Sequence, residues 1–179
     1  MHRQRTGVPA AAIAGLLIAF ASPAARATPA ADTGDARLEA GWIEEARIYP
    51  GAFLLEAKLD TGADVSSLDA RDAVFFRRDG ERWIRFTVTS NRGRTVTLER
   101  PVVRMARIKR HSHASQRRPV VRLGICIGDV YRETEVNLVD RARFRYRLLI
   151  GRRFMEHRVI VDPARKFLHP PECKGIGPR

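Results

Sequence analysis

The chain has 179 residues, with 33 Lys plus Arg against 20 Asp plus Glu, a formal net charge of +13, and 44% hydrophobic residues. That length excludes a multidomain machine, yet it lets one domain bury roughly 70% of its unfolded surface without metal or disulfide support. The composition is globular, which excludes collagen-like and polyelectrolyte chains.

Residues 1–27 read as a secretory signal. A basic start, Met1-His2-Arg3-Gln4-Arg5, leads into an apolar run through Ile13, Leu16, Leu17, Ile18 and Phe20, and Ala25-Arg26-Ala27 precedes the expected cleavage. The run from Val8 to Ala21 is broken by Pro9 and Gly15 and falls short of the roughly 20 residues a membrane-spanning helix needs. The expected product is soluble, and periplasmic or secreted. Its basicity survives processing, because the segment removes Arg3, Arg5 and Arg26 and no acid, leaving +10. Export argues against nucleic acid as a partner and leaves anionic lipids, cell-wall polymers or acidic peptides. Only four of the basic residues are Lys, so an Arg-rich proteome would give the same balance.

In chain order, residues 28–40 are small and polar and read as a flexible lead-in to a single domain over 41–169. Trp42 to Tyr49 and Phe53 to Leu59 flank the turn dipeptide Pro50-Gly51 and predict a hairpin that runs straight into Asp60. Ile84, Phe86 and Val88 alternate before Ser90-Asn91-Arg92-Gly93, and Val96 and Leu98 alternate after it, which predicts a second hairpin. Val121, Leu123, Ile125 and Ile127 pair with Val136 and Leu138 across Gly128-Asp129 in a third. Between the last two, Arg104 to Arg118 reads as a long exposed loop. It is solvated on the main reading and in weak contact with an anionic envelope surface on the lesser one. Leu148-Leu149-Ile150 predicts a short strand buried on both faces, Arg152 to His157 a short helix, and Val159 to Val161 a strand ending at the turn Asp162-Pro163. The tail over 170–179 is rich in Pro and Gly and reads as irregular. Trp42 and Trp83 read as core or sheet-face residues. The expected class is mainly β.

Two cysteines in an exported chain permit one disulfide, Cys126 to Cys173, worth about 4 kcal/mol of chain entropy. Two independent thiols are the open alternative. Neither belongs to a C-x-x-C pair, which argues against a redox centre.

The chemistry is carried by Leu59-Asp60-Thr61-Gly62-Ala63-Asp64, a carboxylate at the exit of an apolar strand followed by a hydroxyl and a glycine. The strand fixes the acid, Thr61 can hydrogen-bond to backbone or to a symmetry mate, and Gly62 permits close approach of a substrate. By itself the triplet equally describes a strand-ending turn. A second element, Leu148-Leu149-Ile150-Gly151-Arg152, follows about 90 residues later.

In that order the two elements resemble the retropepsin-like aspartic peptidases. They are most similar to a bacterial group often labelled ATP-dependent zinc protease, in which a later Val-Asp-Pro, here Val161-Asp162-Pro163, also recurs. The resemblance implies a closed β-barrel with a short C-terminal helix. It makes Asp60 the catalytic carboxylate, Thr61 the lock between two active-site turns and Gly62 a substrate-facing backbone position. It also makes Ala63 and Asp64 substrate-binding, with Asp64, Gly151 and Arg152 bracing the site through an Asp64–Arg152 ion pair. One Asp per chain implies a homodimer whose two Asp60 carboxylates share one proton. The Gly-rich flap of viral relatives has no counterpart between Arg82 and Val103, where the turn Asn91-Arg92-Gly93 is the nearest substitute. Pro170-Pro171 limits terminal strand pairing in a dimer.

No cofactor is expected. His111 and His113 supply two metal ligands at most, and Arg100 to Arg122 holds eight basic residues and no acid, which repels a cation. There is no His-Glu-x-x-His and no phosphate-binding Gly-rich loop. Ser66 and Ser67 read as turn serines rather than nucleophiles. The leading expectation is an exported aspartic endopeptidase acting on a peptide or protein. The competing one is a non-catalytic monomeric module of the same fold that binds an extended peptide or an anionic envelope partner.

Overall fold

The computed structural model describes residues 37–108 and 115–176. Eleven strands and one short helix follow in chain order: β1 (Leu38–Tyr49), β2 (Phe53–Leu59), β3 (Ser66–Asp69), β4 (Arg71–Arg78), β5 (Glu81–Thr89), β6 (Thr95–Pro101), β7 (Arg104–Ile108), β8 (Gln116–Ile127), β9 (Val130–Val139), β10 (Leu148–Ile150), α1 (Arg152–Met155) and β11 (Val159–Lys166). The large sheet runs β11-β1-β2-β10-β3-β9-β8-β7, and an additional pairing of β1 with β8 closes six of its strands into a barrel. A second sheet, β4-β5-β6, lies against it.

Strand parity builds the core. In β2 the alternate residues Phe53, Leu55, Ala57 and Leu59 are buried, which puts Lys58 and the following Asp60 on the other face. Ile48, Ile84, Phe86, Leu123, Ile125, Leu148, Ile150 and Phe154 complete a single cluster, each almost entirely removed from water. Each such side chain contributes about 1.5–3 kcal/mol. The three hairpins expected from alternation are present as β1–β2, β5–β6 and β8–β9, with Val88 opposite Val96, Phe86 opposite Leu98 and Val121 opposite Val136.

The structure corrects several local expectations. The flexible lead-in ends earlier than residue 40, because Leu38 to Ala40 pair in parallel with Val159 to Val161 and Ala40 is fully buried. Ser66 and Ser67 are not turn residues. They open β3, whose four residues are all buried because the strand is held between β10 and β9. The stretch read as a loop, Arg104 to Arg118, holds β7 paired with the start of β8, and 109–114 between them, with His111 and His113, lies outside the described residues. Asp162-Pro163 does not turn the chain but continues β11, an edge strand where the missing proline N–H is tolerated.

Trp42 stands edge-on to Tyr146 with ring centroids 6.0 Å apart, and Trp83 tilts against Phe76 on the small sheet. Cys126 and Cys173 form a disulfide, and Glu172 N donates to Gly128 O at 2.7 Å, so the irregular tail is tied to the β8–β9 turn. Among the described residues no helix is long and apolar enough to cross a membrane. The expected signal over 1–27 lies outside them.

Candidate active site

The Asp60 loop exists because β10 lies between β2 and β3. The chain leaves β2, crosses over the end of β10 and returns as β3, and the crossing is stitched by backbone bonds from both sides. Asp60 N donates to Ile150 O at 2.9 Å, and Arg152 N and Arg153 N donate to Ala63 O and Asp64 O at 2.8 and 3.1 Å. Gly151 N donates to the buried hydroxyl of Ser66 at 3.1 Å. Gly151 has no room for a side chain, since a Cβ there would stand 2.6 Å from the carbonyl carbon of Val65 and 2.7 Å from Asp64 O.

Within the loop the carboxylate is oriented by its own turn: Gly62 N donates to Asp60 Oδ1 at 2.9 Å, and Ala63 N to Asp60 O at 3.2 Å. The Asp60 side chain is 28% exposed, and Thr61 and Gly62 are exposed beside it. Lys58 Nζ lies 3.8 Å from Asp60 Oδ2, as the shared strand face requires. Arg152 braces the loop by donating from Nη1 to Thr61 O at 3.0 Å. It also lies 3.8 Å from Asp64, but Arg153 is the nearer cation at 3.1 Å. Arg153, which sequence reasoning passed over, reaches Glu135 on β9 as well and so joins the loop to the barrel wall.

A groove of about 570 Å³ opens beside the loop. Ala63, Asp64 and Ser67 form one wall and β7 the other, and Arg104, Arg107, Arg118, Arg141 and Arg153 line it with Asp64 as the single acid. The segment that faces the end of the Asp60 loop across the groove is therefore β7. The turn Asn91-Arg92-Gly93, expected in that role, lies instead along the β1–β2 hairpin, where Glu56 N donates to Asn91 Oδ1 at 3.4 Å. The reason is that β5 and β6 commit Ile84, Phe86, Val88 and Leu98 to the core, which fixes their turn at that end of the barrel.

Glu135 ties this wall down. Its carboxylate takes two bonds from Arg104 of β7, at 2.6 and 3.1 Å. Those bonds from Arg104 hold it below the usual glutamate range, against an opposing contribution from burial. Behind the groove, fully buried Asp69 accepts from Arg147 Nη1 at 2.8 Å, from Arg71 Nε at 3.3 Å and from Arg141 N at 2.6 Å. Among the described residues no three His, Cys, Asp or Glu side chains converge as metal ligands.

A closed β-barrel carrying an Asp-Thr-Gly loop over a glycine crossing defines a retropepsin-like protein. The profile of the RimB-like family, described as retropepsin-like aspartic endopeptidase RimB, matches residues 39–172, and the chain belongs to that family. It is 35% identical over 117 residues to a probable alpha-L-glutamate ligase of Desulfotalea psychrophila, covering 64% of this chain and 25% of that protein. It is 36% identical over 125 residues to a protein of the same description from Parasynechococcus marenigrum, covering 67% and 27%. The chain thus spans about a quarter of the length of these curated relatives. A solved structure from Legionella pneumophila, of a protein of unknown function, superposes with a TM-score of 0.64 at 36% identity. That match covers 74% of this chain and 98% of the other.

Proposed function

We propose that this chain is an exported aspartic endopeptidase that works as a homodimer, with an acidic peptide segment as its substrate. The observation that carries the reading is the state of Asp60: oriented by Gly62 N, partly exposed with Thr61 and Gly62 at the loop's open tip, and the one Asp-Thr-Gly aspartate among the described residues. Two such tips brought together place two carboxylates close enough to share one proton. The ionised Asp60 takes a proton from water as the water oxygen bonds to the peptide carbonyl carbon, while the protonated Asp60 of the partner subunit donates to the carbonyl oxygen. Proton transfer to the amide nitrogen then lets the C–N bond break, releasing a carboxylate and an amine.

The substrate class rests on charge. Five arginines against Asp64 in the lining and Glu135 behind Arg104 and Arg153 leave the groove net positive, attractive to carboxylates and repulsive to basic peptides. The relatives' name concerns L-glutamate, and a glutamate-bearing chain is a polymer whose side chains such a groove would take. The disulfide supports an oxidising compartment, in keeping with export.

The test is cleavage of an acidic peptide library by purified residues 28–179, wild type beside Asp60→Asn, with sedimentation at assay concentration. Cleavage by the self-associating wild type alone is the expected result. Silence from both, with the chain monomeric, would favour a non-catalytic module that binds an extended peptide.

A further inference from the structure

The second residue of the loop that joins β9 to β10 is a buried arginine. Arg141 is 9% exposed, and its position is closely specified. Its backbone N donates to Asp69 Oδ1 at 2.6 Å, its Nε to Tyr146 O at 3.1 Å and its Nη1 to Ser67 Oγ at 3.4 Å, while the guanidinium lies over the Phe144 ring at 4.6 Å. None of the oxygens that its side chain contacts carries a formal charge. Asp69, the nearest buried acid, has both carboxylate oxygens committed to Arg71 and Arg147, and Arg141 reaches it only through the backbone. Among the described residues no carboxylate stands within ion-pair distance of the Arg141 guanidinium.

A guanidinium taken out of water without a counter-ion is costly, and side chains so placed ordinarily carry a paired acid. Burial holds this one below the usual arginine value, while Asp69 and then Asp60 act in the opposite sense. Its side chain also lines the groove beside Ala63, Asp64 and Ser67, the residues that follow the Asp60 turn. The other groove arginines differ: Arg104 and Arg153 share Glu135, Arg153 also holds Asp64, Arg118 bonds Gln116 and Asn137, and Arg107 is exposed to water, where a lone cation costs little. Arg141 is thus a cation built into the groove floor, oriented by two neutral acceptors and lacking the acid that its burial calls for.

We propose that Arg141 is a specificity-determining residue, whose guanidinium takes the side-chain carboxylate of a glutamate or aspartate in the bound peptide. The planar fork suits a carboxylate bidentately, and the Ser67 hydroxyl, which accepts from Arg141, has a proton of its own to donate to the same group. The assignment deepens the acidic-peptide reading above by naming the residue that reads the acid.

The experiment measures binding, so it does not need hydrolysis. The Asp60→Asn chain is titrated against a fluorescein-labelled oligoglutamate peptide and against its oligoglutamine counterpart, followed by fluorescence anisotropy. The expected preference for glutamate is about tenfold or more. Adding Arg141→Gln abolishes most of that preference, and Arg141→Lys, which keeps the charge but loses the fork, reduces it several-fold. A purely structural role would change the melting temperature and both affinities together while leaving their ratio intact, and that result overturns the proposal. Where Arg141→Gln does not fold, the ratio in Arg141→Lys decides in the same way, an unchanged ratio overturning it. Should the wild type cleave peptides without any glutamate preference, Arg141 loses its role while the peptidase reading stands. Should it bind glutamate selectively through Arg141 without cleaving, the converse holds.

Discussion

A Cβ on Gly151 would stand 2.6 Å from the carbonyl carbon of Val65. Real side chains do not approach backbone so closely, so the Asp60 loop and the start of α1 can cross only over a glycine. Gly151→Ala is expected to destabilise the chain by about 1–3 kcal/mol, the usual cost of overpacking, and to displace the bonds from Arg152 N and Arg153 N that hold the loop. Urea denaturation reads the first effect and Asp60-dependent cleavage the second. An alanine variant of unchanged stability would show that the crossing relaxes without harm.

Asp69 is the buried acid on which three arginines converge. It has no exposure, and losing its charge leaves Arg71 and Arg147 facing a neutral group in the wall behind the groove. Asp69→Asn is expected to cost about 3 kcal/mol, toward the lower end for a broken buried pair because both arginines retain partial access to water. A chemical denaturation curve within 1 kcal/mol of wild type, a margin taken from about the value of an exposed pair, would reclassify the cluster as a surface feature.

The sequence made some of this legible, for identifiable physical reasons. Wherever a strand has one wetter face and one dry face, as in β2 and β5, alternation reveals it, and Asp60-Thr61-Gly62 announces itself at the exit of such a strand. Strands without that contrast stayed hidden. In β3 every residue is buried, two of them serines and one an aspartate, so a polar sequence reads as a turn. In β7 both faces are partly wet, and its arginines read as loop, while β4, wet along most of its length, offers no alternation to predict it. Arg141 was missed for the opposite reason: in the run Asp140-Arg141-Ala142-Arg143-Phe144-Arg145 charge suggests solvent, and only the fold shows that one guanidinium of the series is buried.

The disulfide ties the irregular tail to the β8–β9 turn across a separation of 47 residues. Chain entropy sets the expected stabilisation at about 4 kcal/mol. The double variant Cys126→Ser, Cys173→Ser should therefore unfold at markedly lower urea concentration, with Asp60-dependent activity retained under native conditions because the tail lines no part of the groove among the described residues. Equal midpoints for the variant and the wild type would place the stabilising role of the tail elsewhere.

Glu135 links acidity to the groove's β7 wall. Hydrogen bonds from Arg104 hold its carboxylate below the ordinary value of 4.5, with burial opposing and the charges of Arg104, Arg153 and Arg122 adding to the effect. A group whose folded-state value is depressed contributes stability that is complete above the unfolded value and is lost as pH falls through the folded one. In the wild type, stability should thus decline below about pH 4.5 in part through this residue, and β7 should loosen first because Arg104 is its tie to β9. Glu135→Gln removes that contribution at neutral pH and should show a shallower decline over the acid range, the two curves converging as the wild-type carboxylate protonates. Hydrogen exchange at Met105 to Ile108 should accelerate with acid in the wild type and change less in the variant. Parallel curves for the two proteins would mean that the Arg104–Glu135 pair, for all its geometry, does not hold the β7 wall of the groove.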